Sequence, residues 1–195
     1  MTYHALRTEG AKGAPLFLTF HGTGGDETQF HGLAGQLMPG ARVVSPRGDV
    51  SEAGMNRYFK RTGEGVYDMD DLARRTDAMA SFIASETGDA PRTVGLGYSN
   101  GANILVAVAL DNPDLVDDLV LMHPLIPWDP APQPGLSGRR ILITAGRRDP
   151  ICPAPQTEAL AAYLQSQGAE VTLHWHAGGH EIRQDEVDAI QSFLA

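Results

Sequence analysis

The sequence predicts an α/β fold with a mostly parallel central sheet of about six to seven strands and helices on both faces. Short apolar runs rich in Val, Ile, Leu and aromatic residues recur along the chain, and each precedes a longer amphipathic stretch. Runs that are apolar almost throughout are typical of parallel strands covered on both faces. Their alternation with amphipathic stretches predicts right-handed crossovers and a three-layer sandwich.

Six runs predict the main strands, and end signals delimit three of the helices. The strands are predicted at 16–20, 42–45, 93–98, 119–123, 141–145 and 170–175, with an antiparallel edge strand at 3–7. Asp68 can cap a helix that ends at Gly88, and Pro155 and Gly168 mark the start and end of another. A last helix is predicted over 187–194. Residues 46–66 show no clear helix or strand.

Length and composition predict one α/β domain over residues 1–195 without a cap domain. The chain is 42% hydrophobic and 20% charged, which is ordinary for a globular domain. Its net charge of −9 argues against a nucleic-acid partner, because binding phosphates needs clustered cations. No signal peptide is recognisable, and no stretch approaches the roughly 18 apolar residues of a membrane span. We expect a cytoplasmic protein, monomeric or homodimeric, that has no membrane partner.

The candidate nucleophile is Ser99 in Gly97-Tyr98-Ser99-Asn100-Gly101, between an apolar strand and an Ala-rich stretch. A Gly-x-Ser-x-Gly turn from strand to helix is tight and strained, and it projects the hydroxyl above the sheet. The alternative is a glycine-rich connection that contains an incidental serine. The strand before and the helix after it favour the catalytic interpretation.

A serine hydroxyl needs a neighbouring base, and His180 is the best candidate because it follows the last strand on a glycine-rich loop. The other histidines fit less well, although His123 ends the fourth run and could line the pocket. Asp149 follows the fifth run and would orient the imidazole of His180. Asp129, after the fourth run, is the competing carboxylate. The order Ser99, Asp149, His180 is that of α/β-hydrolases.

The glycine-rich segment after the first buried strand, His21-Gly22-Thr23-Gly24-Gly25, can supply backbone N–H donors. We assign the backbone N–H groups of Thr23 and Asn100 as the oxyanion hole. The segment lacks the pattern of a phosphate-binding loop or a dinucleotide fingerprint. We expect no metal, since no His, Cys or Asp cluster has metal-ligand spacing. Cys152 is interpreted as a packing residue.

These motifs together resemble the small bacterial phospholipase/carboxylesterase family of the α/β-hydrolase superfamily. The resemblance rests on His-Gly-Thr-Gly-Gly-Asp-Glu at 21–27, Ser-Pro-Arg-Gly at 45–48, the turn around Ser99, the Asp149-Pro150 turn and Gly179-His180-Glu181. The chain is most similar to the hydrolase branch linked to hydroquinone resistance. The resemblance implies a cofactor-free carboxylic-ester hydrolase. Asn100 departs from the glutamine that many members carry.

The substrate is expected to be a small-molecule ester with a short acyl chain, roughly acetate to butyrate, because an open site without a cap suits small substrates. Met55, Tyr58 and Phe59 are candidate pocket residues, or simply anchors of their loop. Further candidates are Ile126, Trp128 and Ile151. An acyl-thioesterase or lysophospholipase with the same triad is the alternative. A second alternative is a non-catalytic homologue that binds a small molecule.

Overall fold

A seven-stranded sheet forms the centre of the computed structural model, which describes residues 3–195. The strands are Ala5–Thr8 (β1), Leu16–Phe20 (β2), Arg42–Pro46 (β3), Val50–Glu52 (β4), Met55–Arg57 (β5), Arg61–Gly63 (β6), Val66–Tyr67 (β7), Thr93–Tyr98 (β8), Asp118–Met122 (β9), Arg140–Gly146 (β10) and Glu170–His176 (β11). The helices are His31–Leu37 (α1), Met69–Thr87 (α2), Asn100–Asp111 (α3), Ala154–Ser166 (α4) and Gln184–Leu194 (α5).

The strand order in the large sheet is β1-β3-β2-β8-β9-β10-β11. Strand β1 is antiparallel to β3, and the other neighbours are parallel. The predicted α/β class, the mostly parallel sheet and the antiparallel edge strand are therefore confirmed. Since the parallel strands point the same way, the loops after their carboxyl ends meet along one edge of the sheet.

The inner strands of the sheet are buried along their whole length, because helices cover both faces. Helices α2, α3 and α4 contribute to one apolar cluster against the sheet. Helices α1 and α5 contribute to a second cluster on the opposite face, which includes Phe17, Leu96 and Leu142. Successive side chains of a strand point to opposite faces of the sheet. Because both sets are apolar in the inner strands, each face is covered by a layer of helices.

The ends of the helices agree with the sequence signals. The carboxylate of Asp68 accepts the Asp71 N–H at 3.0 Å, which caps α2. Gly88 follows α2 with φ of +52°, and Gly168 lies beyond α4 with φ of +85°. Both glycines have a positive φ, which glycine adopts without the steric cost that a Cβ would bring.

The expectation of no regular structure over 46–66 is wrong. The segment contains two short antiparallel hairpins, β4–β5 and β6–β7. Each strand has only two or three residues, which is too few for an alternation pattern to appear. A tertiary hydrogen bond from the Tyr58 N–H to Asn100 Oδ1, 2.8 Å long, ties this segment to α3.

Across residues 3–195, no helix combines the length and the apolar character needed to cross a membrane.

Candidate active site

Five parallel strands deliver polar residues to the same edge of the sheet. His21 follows β2, Ser99 follows β8, His123 follows β9, Asp149 lies three residues after β10, and His180 lies four residues after β11. The carboxyl edge of an open α/β sheet is where ligands bind. The structure therefore brings Ser99, Asp149 and His180 together.

Ser99 lies at a strained turn between β8 and α3, with φ of +52° and ψ of −116°. The turn is tight enough to require its glycines: a Cβ on Gly97 would lie 2.5 Å from Gly101 O, and one on Gly101 would lie 2.5 Å from His21 O. The Ser99 N–H donates to Met122 O at 2.9 Å. A non-glycine residue keeps such a backbone only where its surroundings fix it.

Ser99, His180 and Asp149 form one hydrogen-bonded chain. Ser99 Oγ lies 3.0 Å from His180 Nε2, and His180 Nδ1 lies 2.7 Å from Asp149 Oδ2. Both distances are within hydrogen-bonding range for a nucleophile, its base and the carboxylate that orients the base. The competing carboxylate, Asp129, is exposed and makes no hydrogen bond to His180.

The carboxylate of Asp149 is buried yet well provided with donors. Burial favours the neutral acid, but hydrogen bonds from His123, His180 and the Cys152 N–H outweigh it and lower the pKa of Asp149 well below its usual range. Its Oδ1 accepts the N–H groups of Ile151 and Cys152 at 2.8 and 2.9 Å. Asp149 is therefore an ionised, rigidly held acceptor at neutral pH.

The two predicted oxyanion donors flank Ser99. Thr23 and Asn100 both line the cavity at Ser99, and among residues 3–195 we find no acceptor for either backbone N–H. Asn100 is the first residue of α3, so its N–H has no partner inside the helix. Its side-chain oxygen instead holds the Tyr58 N–H. The Asn100 side chain thus anchors the chain directly after β5.

The cavity beside Ser99 has a volume of about 40 Å³ and a mixed lining that includes Arg57, Tyr67, Leu125 and Ile151. Arg57 is almost fully buried, and its Nη1 donates to Thr23 Oγ1 at 2.7 Å. Glu52 forms ion pairs with Arg57 and Arg61, at 3.1 and 3.0 Å. Sequence reasoning predicted Ile151 here but did not identify the two arginines or Tyr67.

Most of the other predicted pocket residues lie elsewhere, which corrects that prediction. Tyr58 and Phe59 are fully buried in the core, where the Tyr58 ring packs against Phe20 and the Phe59 ring against Tyr67. Met55 is exposed and contacts the Gly24 position. Ile126 and Trp128 line a separate cleft of about 340 Å³ against α4. The apolar character of these residues was visible in the sequence, but their direction was not.

Cys152 is buried next to the site, and its thiol donates to His123 O at 3.2 Å. Burial raises the pKa of this thiol, and the nearby charge of Asp149 raises it further. A protonated thiol is a weak nucleophile. The position of Cys152 supports a packing role.

Sequence reasoning missed a buried cluster behind Asp149 that consists of His123, His176 and Glu186. His123 Nδ1 lies 2.8 Å from Asp149 Oδ2, and its Nε2 lies 3.1 Å from Glu186 Oε2. The position of His123 at the end of a strand was a sequence signal for a residue near the site. Nothing in the sequence singled out Glu186 on α5.

Within residues 3–195 two sets of donor atoms lie close enough to surround an ion, one formed by His123, Asp149 and His180 and the other by His123, His176 and Glu186. In both sets the atoms face each other at hydrogen-bonding or ion-pair distance. We interpret them as a hydrogen-bonded network.

Comparison with known proteins adds the family. The sequence profile of the dienelactone hydrolase family matches residues 49–188, more than half of the chain. The hydrolase MhqD of Bacillus subtilis (strain 168) is 38% identical over 177 residues, which cover 89% of this chain and 88% of MhqD.

Solved structures agree closely in fold. The Bacillus cereus carboxylesterase is 34% identical with a TM-score of 0.91, over 98% of this chain and 93% of that one. The protein Atu2452 of Agrobacterium tumefaciens str. C58, of unknown function, is 53% identical with a TM-score of 0.92, over 98% and 95% of the two chains. With its sheet order and its strand-to-helix turn at Ser99, the chain belongs to the dienelactone hydrolase family, whose members are α/β-hydrolases.

Proposed function

We propose that this protein is a serine carboxylesterase that hydrolyses short-chain acyl esters through an acyl-enzyme on Ser99. The observation that carries the proposal is the hydrogen-bonded chain from Ser99 Oγ through His180 to Asp149. The similarity to a named carboxylesterase over nearly the whole chain supports the same reaction class.

In the first step Ser99 Oγ attacks the ester carbonyl while His180 Nε2 accepts its proton. Asp149 Oδ2 holds the Nδ1–H of His180, which keeps the imidazole in the tautomer with a free Nε2 and stabilises the imidazolium that forms. The carbonyl oxygen becomes an oxyanion, and the N–H groups of Thr23 and Asn100 stabilise it.

The tetrahedral intermediate then collapses with cleavage of the ester C–O bond, and His180 protonates the leaving alcohol. In the second step His180 removes a proton from water, which attacks the acyl-enzyme carbonyl. Collapse of this second intermediate releases the carboxylic acid and returns the proton to Ser99. The same two proton transfers through one imidazole serve both halves of the reaction.

A short acyl chain fits the cavity best. The cavity is small, and the side chains that line it include the charged groups of Arg57, Arg61 and Glu64. Burying a long alkyl chain against charged groups gains little hydrophobic stabilisation and costs desolvation of those charges. We therefore expect acetate to butyrate esters to be preferred over long lipids.

The nucleophile is tested with Ser99→Ala. We expect turnover of p-nitrophenyl acetate to fall by ~10³-fold or more, because loss of the nucleophile leaves only binding and oxyanion stabilisation. Labelling by a fluorophosphonate probe, read by intact mass, should disappear with it. Ser51→Ala, at an exposed serine of β4, is the matched control and should keep both signals. Retained activity in Ser99→Ala would reject the assignment.

The substrate class is tested with acetate, butyrate, octanoate and dodecanoate p-nitrophenyl esters and the thioesters of the same acids. We expect kcat/KM to be highest for the acetate or butyrate oxyester. A steady rise to dodecanoate would contradict the short-chain proposal. Faster thioester cleavage at equal chain length would assign the protein as a thioesterase.

A further inference from the structure

His123 lies behind the proposed triad, fully buried, with a carboxylate at each ring nitrogen. Its Nδ1 is 2.8 Å from Asp149 Oδ2, and its Nε2 is 3.1 Å from Glu186 Oε2. The mechanism proposed above does not use this residue. Its backbone is strained, with φ of +50°, and is fixed by a 2.8 Å hydrogen bond from its N–H to Thr144 O. A strained residue with two charged neighbours in the core requires a physical reason.

The hydrogen-bonding pattern assigns the charge of His123. Ionised carboxylates only accept hydrogen bonds, so a ring between two of them must donate from both nitrogens and is an imidazolium. Burial by itself lowers the pKa of His123, but the hydrogen bonds and charges of Asp149 and Glu186 outweigh it and raise the pKa to about 9. The pKa values of both carboxyls are lowered, although burial opposes this.

Glu186 is held firmly on its other sides. Its Oε2 also accepts from Thr144 Oγ1 at 2.6 Å, and its Oε1 accepts the Arg183 N–H at 2.8 Å. His176 Nε2 lies 3.3 Å from Glu186 Oε1. Because His176 Nδ1 accepts the Gly178 N–H at 3.0 Å, that nitrogen carries no proton and His176 is the neutral Nε2–H tautomer. His176 Nε2 also lies 3.5 Å from His123 Nε2, but the contacts of His123 to Asp149 and Glu186, at 2.8 and 3.1 Å, are shorter and assign the cation of this cluster to His123.

Asp149 Oδ2 is shared between two histidines. It accepts from His123 Nδ1 and from His180 Nδ1, and the two rings lie 5.1 Å apart between centroids. A fixed positive charge at that distance opposes the protonation of a second imidazole. The same hydrogen bond fixes where Oδ2 points, since Oδ1 is already held by two backbone N–H groups.

We propose that His123 is a positioning residue of the reaction, an imidazolium that aims Asp149 Oδ2 at His180 and offsets part of the negative charge that Asp149 presents to the base. This inference rests on the proposed esterase function. In a triad with only the carboxylate, the negative charge of that group favours the protonated and inactive base. Here the positive charge of His123 offsets part of that negative charge.

Other titratable groups face these rings without competing for this role. Tyr98 packs 5.8 Å from the His123 ring and donates to His180 O, and burial raises its pKa to about 12. Cys152 contacts His123 O, and burial raises the pKa of its thiol. Glu181 accepts the Gly179 N–H at 2.9 Å, and backbone hydrogen bonds lower its pKa. Near neutral pH these three groups keep a constant charge.

Two further charged groups lie around the site. Glu64 lines the cavity at Ser99. The Arg148 guanidinium donates to Ala177 O on the His180 loop. Both remain in every variant used below.

The first test is the pH profile of kcat/KM for His123→Asn. Asparagine tolerates the left-handed backbone and can still donate to Asp149, but it carries no charge. We expect its acidic limb to move to higher pH by roughly one unit, since a charge within about 4–6 Å shifts titration by one unit or more. His174→Asn is the matched control, because His174 also lies near a carboxylate, 3.8 Å from Asp185, but on the partly exposed part of β11. Its limb should not move.

An acidic limb in His123→Asn that coincides with the wild type or moves to lower pH would overturn the proposal, as would an equal shift in His174→Asn. A merely structural role would lower kcat at all pH values without moving the limb. The limb is therefore the deciding measurement.

The second test needs no variant and no activity. In the wild-type protein, ¹⁵N NMR of the imidazole rings should show both nitrogens of His123 protonated at pH 7.5. A neutral His123 ring at that pH would overturn the proposal even if His123→Asn fails to fold. If a fluorophosphonate probe does not label the protein and the protein cleaves no ester, the proposed function fails. The NMR measurement still determines the charge of His123 in that case.

Discussion

At the scale of single residues, Asp149 and the loop of His180 are each held by contacts outside the proposed triad. Asp149 is held by two backbone N–H groups and by His123, and the loop of His180 is held by the Tyr98 hydroxyl at 2.7 Å from His180 O. Asn103 Nδ2 donates to Tyr67 Oη at 2.7 Å, which anchors the β6–β7 hairpin over the cavity. Catalytic groups gain from such supports because misplacement by about 1 Å can cost ~10²-fold in rate.

The residue scale also gives a test of the cavity wall. Ile151 lines the cavity at Ser99, whereas Ile126 lines the separate cleft at α4. Ile151→Ala removes bulk from the acyl site, so we expect the preferred p-nitrophenyl ester to lengthen by a few carbons. Ile126→Ala makes the same chemical change outside the site and should leave the chain-length profile unchanged. If both variants respond alike, the assignment of the wall to Ile151 is wrong.

The structure brings the three predicted triad residues together, but it places most of the predicted pocket residues elsewhere. Ser99, Asp149 and His180 each follow a predicted parallel strand, so the sequence pattern predicted that they meet at one edge of the sheet. Tyr58 and Phe59 are apolar in the same way as pocket residues are, and only the packing of the hairpins turns them into the core. Hydrophobicity tells that a side chain is buried, but it does not tell against which surface.

At the scale of elements, the approach of α3 to β8 depends on glycine. Gly95 and Gly97 face α3, and a Cβ on Gly95 would lie 2.9 Å from Leu105 Cδ1. A Cβ on Gly97 would meet backbone atoms of Gly101 and Ala102 at 2.5 and 2.6 Å. Backbone atoms cannot move aside as a flexible side chain can. The strand-to-helix turn therefore has this shape only with glycine at 97.

Gly97→Ala should lower the free energy of unfolding by about 2–3 kcal/mol, in the range of overpacked cores. Gly32→Ala is the matched control, because Gly32 lies in α1 with nothing within 4 Å of the added Cβ. Alanine there should instead raise stability by about 0.5–1 kcal/mol through helix propensity. Urea unfolding at constant pH measures both. Equal stability of the two variants would contradict the steric interpretation.

At the scale of the whole molecule, stability is linked to pH through the buried cluster. Folding raises the pKa of His123 from its usual 6.5 to about 9. A group whose pKa rises on folding stabilises the folded state fully below its unfolded pKa and loses that effect as pH rises through its folded pKa. Asp149 and Glu186 act at the other end: their pKa values fall on folding, so their contribution is lost as pH falls below about 4.

We therefore expect the wild-type free energy of unfolding to decline between pH 6.5 and pH 9. The contribution of His123 to this decline should be at most about 3 kcal/mol, given 1.36 kcal/mol per pKa unit. Urea unfolding at pH 6.5, 8 and 9 measures the decline, and His123→Asn should show a flatter curve over the same interval. His174→Asn should decline as the wild type does. A wild-type stability that rises across this interval would reject the charge assigned to His123.

The sequence by itself determined which residues follow each strand, where α2 and α4 end, and the turn at Ser99. These features depend on local patterns of apolar residues, caps and glycines. Tertiary structure decided what the sequence pattern could not show. Hydrogen bonds at Tyr58 and Tyr67 tie the hairpin segment to Asn100 and Asn103 of α3. Ile126 and Trp128 line a different cleft. Glu186 reaches His123 only because α5 packs beside β10. A buried charge takes its role from neighbours distant in the chain, so only the folded structure reveals it.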